Sequence, residues 1–118
     1  MPLEETFAIA TEPLGQRNVT LVRIQGYLDA HTFEQLEETL AQLFSLKHYK
    51  VVVDLTGVQY ISSAGAGVFI GALSEAHEHG GNIVLLNPTP NVCEVFELLG
   101  LTQIFHVVYD QKAALAVL

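Results

Sequence analysis

The chain has 118 residues, the usual size of one domain, and we expect residues 1–118 to form a single domain. Half of the residues are hydrophobic and 15% are charged, a composition that excludes intrinsic disorder. Thirteen acidic residues against five basic ones give a net charge of −8, which excludes nucleic acid as a primary partner. The single cysteine permits no internal disulfide and is typical of the cytoplasm, where we expect the protein to act.

The N-terminal part of the sequence predicts two antiparallel strands. The first strand is expected at residues 6–11 and the second at residues 19–25, which are rich in β-branched side chains. Residues 12–16 contain Pro and Gly at positions typical of a chain reversal. We expect Gly26 to end the second strand.

A helix and a buried strand are predicted next. Thr32 is expected to cap the helix, with Gln35 completing a capping box. Apolar residues then recur at helical spacing, and these are Phe33, Leu36, Leu40, Leu43 and Phe44. The strand is expected at residues 49–55, where three consecutive valines indicate that both faces are covered.

The rest of the chain alternates helices and strands. We expect a helix at 64–79 that ends at Gly80-Gly81, followed by a strand at 83–86. The next helix is expected to be capped by Asn91 and to end at Gly100. A strand at 104–108 and a helix capped by Asp110 complete the chain. The predicted fold is α/β, with the order ββαβαβαβα and a mixed sheet whose later strands are parallel. The longest apolar run, residues 64–73, has ten residues, against about 20 for a bilayer, so no membrane insertion is expected.

The segment from Asp54 to Gly67 is the most informative part of the sequence. We expect Asp54 to close a buried strand, after which a loop leads to Ser62 and Ser63 at the start of a helix. A serine there can be a simple N-cap, or its hydroxyl can carry a phosphate, which the positive helix end tolerates. The following small residues, including Gly65 and Gly67, allow close packing on the sheet or close approach by another protein. The residues alone leave both alternatives open.

Three separated segments resemble the anti-sigma factor antagonists, a family of bacterial STAS-domain proteins. Residues 61–67, Ile-Ser-Ser-Ala-Gly-Ala-Gly, resemble the phosphorylation motif of this family. Residues 26–32, Gly-Tyr-Leu-Asp-Ala-His-Thr, resemble its Gly-Glu-Leu-Asp loop, with Tyr27 in place of the glutamate. Residues 89–101 resemble its third helix and the Gly-Leu exit from that helix. The matches follow the family order along nearly the whole chain and imply a STAS-like fold.

The resemblance implies a binding switch and not an enzyme. In the family, the unphosphorylated protein binds an anti-sigma factor, commonly an ATP-using serine kinase, and so frees a sigma factor. Phosphorylation separates the complex, and a metal-dependent serine phosphatase reverses the modification. The register set by the two glycines places the modified serine at Ser63. The implied partner surface consists of Tyr27, Asp29, Ser62, Gly65 and Gly67, with Asp54 supporting the loop. No cofactor or bound metal is implied.

Other classes of function compete with this one. A constitutive STAS subunit of a larger assembly, such as a lipid-transport ATPase, stays open because Ser62 stands where the family often has Asp. A response-regulator receiver is disfavoured, since no acidic pair follows the first strand and no lysine follows the last. The glycines at 65, 67 and 71 are spaced one residue too widely for a dinucleotide loop. His77 and His79 are two residues apart on a predicted helix, so they do not form a metal pair.

Overall fold

The computed structural model describes residues 7–15 and 18–118. The elements in chain order are β1 (Ala8–Leu14), β2 (Val19–Leu28), α1 (Phe33–Ser45), β3 (Lys50–Ile61), α2 (Ser63–Glu78), β4 (Asn82–Leu86), α3 (Pro90–Leu98), a 3₁₀ turn (Leu101–Gln103), β5 (His106–Val108) and α4 (Gln111–Ala116). The predicted order ββαβαβαβα is confirmed, with the 3₁₀ turn added between α3 and β5.

The five strands form one mixed sheet in the order β1-β2-β3-β4-β5. β1 is antiparallel to β2, and the three pairs that follow are parallel, as predicted. Each parallel connection advances by one strand in the same direction. Because such connections are right-handed, their helices are expected on the same face of the sheet.

The hydrophobic core confirms that the first face of the sheet is covered by α1, α2 and α3. Phe69 of α2 makes edge-to-face contacts with Phe96 of α3 and with Phe105, at ring-centroid distances of 6.2 and 6.4 Å. The second face carries a smaller cluster, in which Ala114 of α4 packs with Val19, Leu21, Val52, Val84 and Leu86. α4 has six residues and covers only the part of the second face formed by the first residues of β2 and β3 and by β4.

Three strands end later than their sequences predict. β1 reaches Leu14, β2 reaches Leu28 and β3 reaches Ile61, so the prediction that Gly26 ends β2 is wrong. Gly26 stays inside the strand at φ +97°, next to register shifts between β2 and β3. A bulge of this kind bends a strand without ending it, and glycine allows the positive φ. The part of the first predicted strand before residue 7, and residue 16 of the predicted turn, lie outside the described residues.

The predicted helix ends are partly correct. Asp110 caps α4 as expected, because its Oδ1 accepts a hydrogen bond from the Ala113 amide at 2.7 Å. Gly80 and Gly100 follow α2 and α3 at φ +76°, which confirms both predicted stops. Asn91 does not cap α3, since Thr89 occupies that position and Pro90 the first turn.

Thr32 stands at the N-cap of α1, but its side chain makes no capping hydrogen bond. The predicted capping box with Gln35 is therefore wrong. None of the helices in the described ranges is long and apolar enough to cross a lipid bilayer.

Candidate functional site

The predicted site lies where β2 and β3 end and α2 begins. Leu28 and Ile61, the last residues of the two strands, are register partners. The backbone amide of Ser62 donates a hydrogen bond of 2.9 Å to the carbonyl of Leu28. This bond fixes the start of α2 directly beside the end of β2.

The two serines have different environments. Ser62 is the N-cap, since its Oγ accepts a hydrogen bond from the Gly65 amide at 3.2 Å and its carbonyl accepts one from the Ala66 amide at 2.9 Å. Ser63 is the first residue of the helix and is exposed. Among the side-chain hydrogen bonds of residues 7–15 and 18–118, none uses the Ser63 hydroxyl. Capping is thus the role of Ser62, and the hydroxyl of Ser63 is open to solvent.

The two glycines of the motif also differ. Gly65 is buried, and a Cβ at this position would lie 2.7 Å from the carbonyl oxygen of Leu28 and 2.8 Å from its Cγ. The expectation that Gly65 lies on the contact surface is therefore wrong, because its lack of a side chain is needed for packing on β2. Gly67 is exposed, and its Cβ position has no atom within 4 Å. The accessible surface at this helix start is formed by Ser63, Ala64 and Gly67.

The loop between β2 and α1 is held by Asp29 and Thr32. The Asp29 Oδ1 atom accepts a hydrogen bond of 2.9 Å from the His31 amide. The Thr32 hydroxyl accepts one of 2.9 Å from the Asp29 amide and donates one of 2.7 Å to the carbonyl of Tyr27. These bonds explain why Thr32 does not cap α1. They also commit one oxygen of the half-buried Asp29 carboxylate to the shape of the loop.

Tyr27 is exposed, as a contact residue would be, and the structure places a second tyrosine beside it. Tyr60 of β3 is the register partner of Tyr27, and the ring centroids are 6.0 Å apart. The two residues are 44% and 50% exposed. The sequence interpretation missed Tyr60 because it ended the strand at residue 55. An extension of that strand to Ile61 would have placed the two tyrosines on neighbouring strand ends.

Asp54 lies inside β3, so the prediction that it closes the strand is wrong. Its pairing partner Leu86 is the last residue of β4, and β3 continues beyond this point. The Asp54 Oδ1 atom accepts hydrogen bonds from the amide and the hydroxyl of Thr56, at 3.0 and 2.6 Å. The Thr56 hydroxyl in turn accepts one from the side-chain amide of Asn87 at 2.9 Å. Asp54 thus ties β3 to the end of β4 and does not contact the serines.

The histidines of α2 have separate partners. His77 Nε2 lies 3.1 Å from Asn82 Oδ1, and the His79 ring stacks on Tyr49 with its centroid at 4.2 Å. No group of three or more His, Cys, Asp or Glu side chains that could hold a metal ion occurs in the part of the chain that the structure describes.

Comparison with known proteins agrees with the fold. The STAS domain profile matches residues 11–114. The chain is 31% identical over 86 residues to the anti-sigma-B factor antagonist of Staphylococcus epidermidis, covering 73% of this chain and 80% of the relative. It is 38% identical over 93 residues to BtrV of Bordetella bronchiseptica, covering 79% and 80% of the two chains. The chain therefore belongs to the STAS domain family.

The same fold occurs in solved structures of a named regulator. The unphosphorylated form of the anti-sigma factor antagonist SpoIIAA superposes with a TM-score of 0.79 at 25% sequence identity, over 92% of this chain and 93% of that one. The phosphorylated form of SpoIIAA superposes with a TM-score of 0.71 at 24% identity, over 94% and 100% of the two chains.

Proposed function

We propose that this protein is an anti-sigma factor antagonist whose binding is switched off by phosphorylation of Ser63. The observation that carries the proposal is that the two serines have different roles. Ser62 caps α2, whereas Ser63 presents an exposed hydroxyl that no described side-chain hydrogen bond uses. The names of the relatives support the regulatory class, and SpoIIAA has been solved both with and without a phosphate.

The start of α2 suits a reversible phosphate. The first backbone amides of a helix have no acceptor within the helix, and the positive end of the helix dipole favours an anion. Phosphorylation would add about −1.5 to −2 charges at neutral pH, next to these amides. The fold should therefore tolerate the modification, even in a chain with a net charge of −8.

The same phosphate would oppose binding. The exposed surface around Ser63 is formed by Ala64, which has only a methyl side chain, and by Gly67, which has none. A partner can therefore approach the helix backbone closely. A partner surface shaped for a neutral hydroxyl would have to desolvate the phosphate. A loss of about 4 kcal/mol on this account would weaken binding roughly a thousandfold.

The proposed partners are an anti-sigma factor that acts as an ATP-dependent serine kinase and a serine phosphatase. In the kinase step the γ-phosphoryl group of ATP forms a bond with Ser63 Oγ, the bond to ADP breaks, and the hydroxyl proton passes to a base of the kinase. The antagonist contributes the acceptor and no catalytic group. Tyr27, Asp29 and Ser62 belong to the surrounding contact region.

The test uses three purified baits, the wild type, Ser63→Ala and Ser63→Glu, with cell lysate of the source organism and identification of bound proteins by mass spectrometry. We expect wild type and Ser63→Ala to retain an ATP-binding anti-sigma factor and Ser63→Glu to lose it. The recovered kinase with radiolabelled ATP should then modify wild type and Ser62→Ala but not Ser63→Ala. Ser62→Ala is the matched control, because it removes the neighbouring hydroxyl.

Equal retention of one partner by all three baits would contradict the switch. It would favour the alternative of a constitutive STAS subunit in a larger assembly, such as a lipid-transport ATPase. Labelling of Ser63→Ala but not of Ser62→Ala would move the modification to Ser62.

A further inference from the structure

Among residues 7–15 and 18–118, no helix covers the half of the second sheet face beyond α4. Two aromatic side chains lie at one end of this uncovered half. Along β2 the residues Arg23, Gln25 and Tyr27 are exposed. Ile24 and Gly26 between them are buried, and Ile24 belongs to the core of the first face. Tyr27 and its neighbour Tyr60 are the last residues of this surface before the strands meet the start of α2. The aromatic pair therefore lies at the same end of the sheet as Ser63.

The aromatic pair is held on rigid backbone. Tyr27 follows Gly26, whose φ of +97° and adjacent register shift turn the end of β2, as bulges do when they redirect a side chain. The carbonyl of Tyr27 is bound by the Thr32 hydroxyl at 2.7 Å. The two rings are inclined at 56°, so each keeps part of its surface open to solvent. Such pre-organisation lowers the entropy lost on binding.

Few of the exposed residues next to the pair are charged, although the whole chain carries −8. The nearest cation along β2, Arg23, is paired with Glu12 at 3.1 Å and lies 4.0 Å from Asp54. Asp29 uses its Oδ1 atom within its own loop. The other exposed residues at the two strand ends, such as Gln25 and Gln59, are uncharged.

We propose that Tyr27 and Tyr60 form one aromatic anchor that inserts into an apolar pocket of the anti-sigma factor, with polar acceptors at its rim for the two hydroxyls. The inference rests on the proposed function, since it assigns the chemistry of the partner at that site. Half-exposed aromatic residues that become buried at the centre of an interface are typical binding hot spots. Recognition of this kind depends on burial of apolar surface, so it is nearly independent of salt.

The anchor and the switch lie within the reach of one partner surface. Tyr60 precedes Ser63 by three residues, a span of at most about 10 Å in extended chain. The start of α2 is joined to β2 at Leu28, the residue after Tyr27. A partner that binds the aromatic pair therefore lies close enough for its edge to reach the Ser63 hydroxyl. This arrangement explains how one phosphate can displace a partner that is bound mainly through apolar contacts.

The experiment measures the dissociation constant of the full chain with the purified anti-sigma factor that wild type retains and Ser63→Glu loses, by titration calorimetry. We expect Tyr60→Ala and Tyr27→Glu each to weaken binding by at least about tenfold, as loss of a hot-spot residue does. Tyr60→Phe should stay within about threefold of wild type, since most of the ring surface is kept. The matched control is Tyr109→Ala, because Tyr109 is 61% exposed and immediately precedes the cap of α4.

The salt dependence gives a second readout. Between low and high salt the wild-type dissociation constant should change by less than about threefold, because screening acts on charges and not on apolar contacts. A steep loss of affinity with salt, or equal affinities for Tyr60→Ala and Tyr109→Ala, would overturn the aromatic anchor. The proposed function would still stand in that case, provided that Ser63→Glu abolishes binding. Tyr27→Glu keeps the test valid if Tyr60→Ala is poorly folded, because it changes an exposed side chain.

Discussion

The two halves of the second sheet face show how the same strands serve folding at one end and recognition at the other. Under α4, β2 presents Val19 and Leu21, which are buried in a small apolar cluster. Beyond α4 the same face of β2 presents Arg23, Gln25 and Tyr27, all exposed. Since the first face is covered along the whole strand, the only difference between the two halves is the presence of a helix over the second face.

The burial pattern along β2 reflects this difference between the two halves. Four consecutive buried residues, Val19 to Val22, are followed by alternation of exposed and buried residues from Arg23 onward. In β3 the buried run from Val51 to Val53 is followed by single buried residues at Leu55, Val58 and Ile61. Continuous runs indicate cover on both faces, and alternation indicates cover on one face. The change of pattern therefore marks where the structural part of the sheet ends and where a surface for a partner begins.

The largest expected effect tests the covered half. Leu21→Ala should lower the free energy of unfolding by about 2–4 kcal/mol, because it removes a fully buried side chain and leaves a cavity. Gln25→Ala, on the same strand and face beyond α4, should change it by no more than about 0.5 kcal/mol. Urea denaturation of the two variants measures both values. Similar losses of unfolding free energy for Leu21→Ala and Gln25→Ala would show that the two halves of the second face do not differ in burial.

A smaller effect on stability is expected for the corresponding contrast within α2, between Gly65, which faces β2, and Gly67, which faces solvent. Gly65→Ala should destabilise the protein by about 1–3 kcal/mol, because the new methyl group would press on Leu28. Gly67→Ala should instead stabilise it by about 0.5–1 kcal/mol, since alanine is the better helix former and the space is open. Thermal unfolding of the two variants shows whether each substitution raises or lowers the stability. A gain of stability for Gly65→Ala would refute the close packing of this helix start on β2.

The smallest effect separates the two serines. Ser62→Ala should cost about 1 kcal/mol, because the Gly65 amide loses its capping acceptor. Ser63→Ala should change the free energy of unfolding by only a few tenths of a kcal/mol, as expected for an exposed residue without a described side-chain contact. Chemical denaturation at one pH suffices for the comparison. If the larger loss belonged to Ser63→Ala, the cap would be assigned to the wrong serine.

Much of the fold was predictable from the sequence because helix and strand periodicities reflect burial directly. The order of elements, the parallel sheet and the stops at Gly80 and Gly100 all follow from such local patterns. The C-terminal ends of β2 and β3 could not be predicted from such local patterns. Gly26 is a local signal for a break, yet hydrogen bonding to the neighbouring strand holds it in the sheet. Strand length depends on the partner strand, which no local pattern describes.

The candidate site was predictable in position but not in detail. The motif placed the serines at a helix start, and the structure confirms this. Whether a glycine faces the sheet or solvent depends on the rotation of α2 about its axis, which packing against Leu28 sets. The partnership of Tyr27 and Tyr60 depends on the register between strands that are joined through a helix.

The class of fold, the order of its elements and the location of the serine motif could be predicted from the sequence, because side-chain chemistry imposes them over short distances. Strand pairing and helix packing were needed to show that Gly65 is buried against Leu28 and that Tyr27 and Tyr60 are neighbours. Each of these depends on atoms from separate segments that come within a few ångströms of one another. Such distances arise when the strands pair and the helices pack, and the order of the residues does not contain them.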